Sequence, residues 1–147
     1  MTVHSYATPE SPTTLLSTEL NSASAGAVFT SGVIDNSVGL YKYADFEMRC
    51  EFTSAALGNY FSLYLLEAAD GTNYEDAAAS PNSGEALLTA AQFLGSFIFP
   101  NAVGPFRKIL RGLVLPPTKF KIVLWVDWAL VASGNTLKMI RYTEQTA

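Results

Sequence analysis

Residues able to carry catalysis are few in this chain. The only histidine, His4, lies in a segment rich in Ser, Thr and Pro near the N-terminus, where a general base would have no fixed neighbours. A catalytic triad, a Cys–His pair and a zinc site of His or Cys ligands each need residues that the chain lacks. No glycine-rich loop of the dinucleotide or P-loop type occurs. We therefore expect a protein that is not an enzyme and that uses no cofactor.

Paired carboxylates are the remaining route to catalysis, because two of them can hydrolyse a glycosidic bond. From residue 45 to 52 two sets alternate without exception: Asp45, Glu47, Arg49 and Glu51, and between them Phe46, Met48, Cys50 and Phe52. A β-strand sorts residues with period two, so the first set meets water or a partner and the second lies on a dry core. The carboxylates are then a solvated face, and the single cysteine is a small buried hydrophobe.

A metal site is the next possibility. The loop Asp70–Asp76 concentrates oxygen ligands and could hold calcium, but its ligands lack the regular spacing of an EF-hand loop. An acidic turn is the simpler interpretation. The sequence leaves the two interpretations open, although a calcium titration that leaves the melting temperature unchanged would exclude the metal.

Aromatic residues point to binding. In Lys119–Val126 the residues Phe120, Ile122, Leu124 and Val126 share one parity, and the other parity begins with two lysines and ends at Trp125. Trp128 follows where a hairpin would ordinarily carry Asn, Gly or Ser. The two tryptophans belong either to a second core layer or to an apolar contact surface. The mean hydropathy of +0.20 favours contact.

Charge is unevenly distributed. The net charge is −4, with most acidic residues before residue 102 and most basic residues after it. Interleaved strands would neutralise the two sets within one fold, whereas a head-to-tail contact would join them between subunits. We interpret the C-terminal basic residues as a scattered solvated face, because no aromatic stacking platform is interleaved with them. They are Arg107, Lys108, Arg111, Lys119, Lys121, Lys138 and Arg141. We expect no nucleic-acid partner.

Short strands separated by Gly, Pro and Asn turns predict an all-β chain. The segments with strand character are Ala27–Ile34, Leu40–Phe52, Tyr60–Leu66, Phe93–Phe99, Arg107–Leu115, Lys119–Val126 and Thr136–Tyr142. Glu85–Leu94 is either a short helix or a strand. The uncharged run Ala86–Phe106 is interrupted too often by Gly, Pro, Asn and Gln to span a membrane. About eight strands favour one antiparallel β-sandwich of the jelly-roll type over residues 15–147, preceded by an extended N-terminal arm, residues 1–14.

Several runs resemble a family of small virion proteins of tailed bacteriophages and prophages. They are Leu40–Glu47, Tyr64–Tyr74, Arg111–Lys121, Ala132–Lys138 and Tyr142–Gln145. The resemblance implies a β-sandwich structural protein of the particle with no catalytic residues. This chain departs from the pattern at Asp127–Leu130, which replaces a polar hairpin tip, and at Gln92–Pro105, which is unusually apolar.

The function that follows is a structural one. We expect a capsid decoration or cement protein that binds the major capsid protein or other virion proteins, forms a homo-oligomer, and joins the virion in the bacterial host cytoplasm. The alternatives are a tail, neck or fibre component and a carbohydrate-binding β-sandwich module. The residues expected to form protein contacts are Thr2, Val3, Tyr6 and Pro9 of the arm, and Phe97, Ile98, Phe99, Trp125 and Trp128 of the body.

Overall fold

A computed structural model describes residues 4–55, 58–75 and 89–146. Over these ranges the chain forms eleven strands and two single 3₁₀ turns, at Thr18–Leu20 and Ala90–Gln92. In chain order the strands are β1 (His4–Tyr6), β2 (Thr13–Leu16), β3 (Val28–Thr30), β4 (Ile34–Asp35), β5 (Tyr43–Cys50), β6 (Tyr60–Ala68), β7 (Phe93–Ile98), β8 (Phe106–Val114), β9 (Lys119–Val126), β10 (Thr136–Tyr142) and β11 (Glu144–Thr146).

The strand order is that of a jelly roll. Sheet A has the order β2-β10-β5-β8, and sheet B has the order β3-β9-β6-β7, with β4 also paired to β9. All of these pairings are antiparallel. Apart from the β3–β4 step and the β6–β7 hairpin, the chain from β2 to β10 changes sheet at every step, which is how a jelly roll interleaves its two layers. The predicted antiparallel sandwich is therefore confirmed.

The core lies between the two sheets and is built from the alternation seen in the sequence. On β5 the side chains of Phe46 and Met48 are fully buried, and on β9 those of Phe120, Ile122 and Leu124 are as well. One part of this core is a cluster of aromatic rings, in which Phe52 packs against Phe61 and Phe99 at ring-centroid distances of 5.6 and 5.2 Å. Strands buried on one face alternate in this way because the pleat sends successive side chains to opposite sides.

Two predicted elements differ from those observed. The segment Ala27–Ile34 forms two strands, β3 and β4. The interruption follows Thr30: the Ser31 amide still donates to the Ile122 carbonyl at 2.8 Å, but the Ile122 amide donates to the Ser31 hydroxyl at 2.9 Å. In Glu85–Leu94, residues 85–88 lie outside the described ranges, and the remainder is the 3₁₀ turn followed by the start of β7. Within the described ranges, no helix is long and apolar enough to span a bilayer.

Two buried asparagines hold the segments before and after β5 and the turn before β10. The Asn36 amide donates to the carbonyls of Tyr41 and Pro116 at 2.8 and 2.7 Å, and its oxygen accepts the Tyr41 amide. Asn135 similarly accepts the Glu51 amide and donates to the Val131 carbonyl. A buried amide that satisfies several backbone groups stabilises a turn that no repeating ladder could serve.

The N-terminal segment follows the chain's own C-terminal strands. β1 pairs with β11, β2 pairs with β10, and between them the amides of Ala7 and Glu10 donate to the carbonyls of Thr143 and Arg141 at 3.0 Å. The segment is extended, as expected for the arm of residues 1–14. Its described part pairs with strands of the same chain. The expected boundary at residue 14 falls inside β2, which belongs to sheet A.

An ion pair fixes this segment to both sheets. The Arg141 guanidinium binds both carboxylate oxygens of Glu10 at 2.6 and 2.8 Å and donates to the Asp35 carbonyl of β4 at 2.9 Å. Because β10 belongs to sheet A and β4 to sheet B, one side chain joins the N-terminal segment to both layers. Its bidentate geometry makes it the strongest ion pair of the described residues.

Candidate binding surfaces

The outer faces of the two sheets differ in chemistry. The outer face of sheet A, here the charged face, presents mainly ionic side chains: Asp45, Glu47, Arg49, Arg107 and Lys138. The outer face of sheet B, here the apolar face, presents Tyr60, Tyr64, Phe93, Ile98 and Trp125. Both faces are candidate binding surfaces, and each is described below.

A groove lies on the charged face, beside the paired strands β1 and β11. Its central part, with a volume of about 580 Å³, is lined by Tyr6, Pro9, Asp45, Arg111, Gly112, Ile140 and Tyr142. It continues on one side to Pro12, Glu47, Ile109 and Lys138, and on the other to Tyr43 and Glu144. These three depressions share lining residues, Asp45 and Ile140 on one side and Tyr6, Gly112 and Tyr142 on the other, and are together called the tyrosine groove below.

Asp45 is the fixed polar centre of the tyrosine groove. Its Oδ1 atom accepts the Gly112 amide at 2.8 Å and the Tyr142 hydroxyl at 3.1 Å. The first bond depends on an irregularity in the pairing of β5 with β8 beside Asp45, and on the positive φ of +66° at Gly112, which a glycine adopts without strain. Both bonds fall on one oxygen and therefore orient the carboxylate.

Three tyrosines pack together beside this carboxylate, with Tyr142 at their centre. The Tyr6 and Tyr142 rings meet edge to face at 5.4 Å, and Tyr43 and Tyr142 lie 5.7 Å apart. Tyr6 is 66% exposed. Burial raises the pKa of Tyr142 to about 12, with the charge of Asp45 and the hydrogen bond to it adding to the effect. Tyr142 is therefore a neutral hydroxyl donor at physiological pH.

The apolar face is a second, incomplete hydrophobic layer. Val28, Leu66 and Val123 are buried on this side of sheet B, with Tyr64 and Trp125 packed against them. The layer spreads to the β7 edge, where the neighbouring residues are more open. There the Trp125 ring lies 5.3 Å from that of Tyr60, which pairs in register with Ile98, and Phe93 lies 5.7 Å from Tyr64. Ile98 is 64% exposed and Phe93 is 46% exposed.

Four of the expected contact residues lie on these two surfaces. Tyr6 and Pro9 both line the tyrosine groove. Ile98 and Trp125 lie on the apolar face, where Trp125 is only partly exposed because it covers the small cluster below it. The structure thus combines the two interpretations of this tryptophan, a second packed layer and an exposed surface.

The other expected contact residues lie elsewhere. Phe97 and Phe99 are wrong as contact residues of the folded chain, because they are only 1% and 2% exposed and pack in the main core. They share the inward parity of β7 and the residue after it, opposite to that of Ile98. Trp128 is partly buried against the main core and donates its Nε1–H to the Ser54 carbonyl at 3.1 Å. Thr2 and Val3 lie outside the described residues.

The sequence did not reveal the tyrosine groove. Tyr43 and Tyr142 share the outward parity of Asp45 and Ile140, which is the available signal, but the pairing of β5 with β10 that joins them is a long-range contact. The apolar face had a clearer signal, since Tyr60–Leu66 carries large residues on both parities.

The acidic loop is held by hydrogen bonds between its own residues. The Asp70 carboxylate accepts the amides of Thr72 and Asn73 and the side-chain amide of Asn73, at 2.7 to 2.8 Å. These bonds lower the pKa of Asp70 to about 2. Asp76 lies outside the described ranges, and among the described residues no three His, Cys, Asp or Glu side chains are grouped to hold a metal. Calcium binding stays untested.

No protein-family model and no curated protein matches this chain. Among solved structures it is similar to the CBM36-1 domain of a multidomain xylanase from the hindgut metagenome of Trinervitermes trinervoides, at 10% identity and a TM-score of 0.41, covering 97% of this chain and 96% of that one. It is also similar to a glycoside hydrolase family 43 arabinoxylan arabinofuranohydrolase from Bacillus subtilis, at 16% identity and a TM-score of 0.36, covering 99% of this chain. The match spans 27% of the hydrolase. Both similarities are too weak to assign a function.

Proposed function

We propose that this chain is a non-enzymatic structural protein of a tailed-phage virion, a decoration or cement protein of the assembled head. The observation that carries the proposal is the apolar face, where Ile98, Phe93 and Tyr60 stand exposed beside a half-covered tryptophan. The resemblance of five sequence runs to small virion proteins supports it. Jelly rolls occur in capsid proteins and in lectins, so the fold by itself agrees with the proposal only by analogy.

The apolar face suits a protein partner. Contiguous exposed aromatic and aliphatic side chains gain free energy when a complementary surface removes them from water, by roughly 25 cal/mol for each Å² of apolar area. Aromatic residues are also enriched at the buried centres of interfaces. A lattice of capsid subunits would provide such a surface many times over.

The end strands β8 and β7, one from each sheet, also differ in charge. β8, at the end of sheet A, carries Arg107, Lys108 and Arg111, and Lys108 stands opposite Met48 on the inward parity. Inward and outward charges of this kind discourage a further strand from pairing. β7, the last strand of sheet B among the described residues, has no charged residue. The β7 edge therefore continues the apolar face, and the lysines of that face, Lys119 and Lys121, lie at the other end of β9.

Binding to the lattice would stabilise the particle by mass action. A protein that binds only the assembled head must dissociate before neighbouring subunits can separate, so each occupied site adds to the free energy of disassembly. The expected effect is a head that survives heating or loss of salt better with the protein than without it.

A binding assay on heads tests the proposal. Heads would be prepared from the phage or prophage that encodes this chain, with its gene deleted, and mixed with purified protein before sedimentation. We expect the wild-type protein to sediment with heads, and Ile98→Asp to bind at least about a hundredfold more weakly, since a charge buried in an apolar contact costs several kcal/mol. Ile109→Asp, a matched change on the charged face, should keep its binding.

Circular dichroism and melting curves would establish that both variants fold. Failure of the wild-type protein to bind heads, or equal binding by both folded variants, would overturn the proposal. Imaging of labelled particles separates the alternatives within the virion. Many copies over the head support decoration, and a few copies at one vertex would instead indicate a neck, tail or fibre component.

A further inference from the structure

We propose that the tyrosine groove binds a saccharide, independently of the apolar face. The groove has the size and position of a ligand site. Its central part of about 580 Å³ falls within the range of small-molecule sites, which is roughly 300–1,000 Å³. The two neighbouring depressions share lining residues with it, so a ligand of more than one sugar ring could extend from the central part to either of them.

The side chains of the groove match the two surfaces of a sugar ring. The exposed ring of Tyr6 offers a flat apolar face, which suits the C–H face of a pyranose. Asp45 offers an acceptor for hydroxyl groups, and the exposed Arg111 offers donors. A site that combines hydrophobic rings with a few convergent polar groups is typical of selective recognition of a small polar ligand.

Asp45 is arranged in advance for this role. The Gly112 amide and the Tyr142 hydroxyl both bond its Oδ1 atom, so the orientation of the carboxylate is fixed before a ligand arrives. Within the described ranges both of these bonds are to Oδ1, so Oδ2 is the oxygen that would accept ligand hydroxyls. A preorganised acceptor costs less entropy on binding than a mobile one.

The charges of the groove favour a neutral ligand. Asp45, Glu47 and Glu144 would repel an anion, and Arg111 and Lys138 would repel a cation. A neutral molecule with many hydroxyl groups uses both kinds of side chain, as donor and as acceptor, with no net repulsion. An apolar peptide would leave these polar groups without partners, which costs free energy.

The test is a glycan array with the whole chain, followed by titration calorimetry. The array would contain cello-, xylo-, malto- and chito-oligosaccharides together with neutral oligosaccharides released from bacterial O-antigens. We expect binding to at least one of these classes. Tyr6→Ala and Arg111→Ala should each weaken it by about tenfold or more, which corresponds to 1.4 kcal/mol or more.

Ile98→Ala is the matched control, because Ile98 is as exposed as Tyr6 but lies on the apolar face. It should leave saccharide binding unchanged. An array without any binding would overturn the inference, as would binding that survives Tyr6→Ala and Arg111→Ala together. Because the head assay reads the apolar face, a protein that binds sugar but no heads would refute the proposed function alone.

Discussion

The two outer faces of this sandwich follow the same alternation of inward and outward residues, but only the apolar face carries a second hydrophobic layer that is left partly exposed. On the charged face, β5 sends Asp45 and Glu47 outward, where Asp45 accepts hydrogen bonds from Gly112 and Tyr142 and Glu47 lies beside Arg107. On the apolar face, Val28 and Val123 also point away from the main core, yet both are fully buried under a small aromatic layer. A strand with apolar residues on both parities therefore signals a second layer, and the open edge of that layer marks a contact surface.

The largest expected effect concerns Arg141, which holds the N-terminal segment whose Tyr6, Pro9 and Pro12 line the tyrosine groove. Arg141→Ala removes the bidentate bond to Glu10 and the bond to the Asp35 carbonyl, and leaves Glu10 with a largely buried charge. We expect a loss of about 3 kcal/mol in the free energy of unfolding, measured by urea denaturation. Saccharide binding should fall while head binding persists. A loss in the free energy of unfolding smaller than that expected for a surface ion pair would contradict the role of Arg141 in holding the N-terminal segment to both sheets.

The next effect concerns Trp125 on the apolar face. Trp125→Ala uncovers the cluster of Val28, Leu66 and Val123, and should cost about 2 kcal/mol, less than a fully buried tryptophan because the ring is partly exposed. Ile109→Ala on the charged face should cost less, since Ile109 is more exposed and lies outside both hydrophobic clusters. Chemical denaturation of both variants makes the comparison. Equal losses would show that the apolar face has no packed second layer.

A smaller effect concerns Tyr142 and depends on pH. Its pKa is raised to about 12 in the folded chain, above the ordinary value of 10, so its stabilising contribution is complete below pH 10 and is lost as pH rises toward 12. Tyr142→Phe should cost about 1 kcal/mol at neutral pH through the lost bond to Asp45. It should also flatten the fall in stability between pH 10 and 12, measured by denaturation at each pH. An unchanged slope there would contradict the assignment.

The smallest effect concerns Arg107 on the charged face. Its guanidinium lies 3.8 Å from the Glu47 carboxylate, and both side chains are substantially open to water. Arg107→Ala should therefore change the free energy of unfolding by less than about 0.5 kcal/mol. A loss comparable to that of Arg141→Ala would mean that the charged face is held together by its ions rather than solvated.

The alternation in β5 and β9 was readable from the sequence because period two is a local property of the strand. The turns at Asn36 and Asn135 could be predicted because turn-forming residues are also a local signal. The bonds of Asn36 to the Pro116 carbonyl and of Asn135 to the Glu51 amide could not. The sequence misjudged Phe97 and Phe99, since a run of apolar residues at an edge does not show which parity faces inward. It also gave no sign that the N-terminal segment pairs with β10 and β11.

The amino-acid order by itself determined the all-β class, most strand positions, the burial of Cys50 and the two-sided character of β5, because these depend on neighbours along the chain. Tertiary structure decided the strand order, the path of the N-terminal segment, and the meeting of Tyr6, Asp45 and Tyr142 in one groove. Those features depend on contacts between residues far apart in sequence, whose partners are fixed only when both sheets pack around a common core.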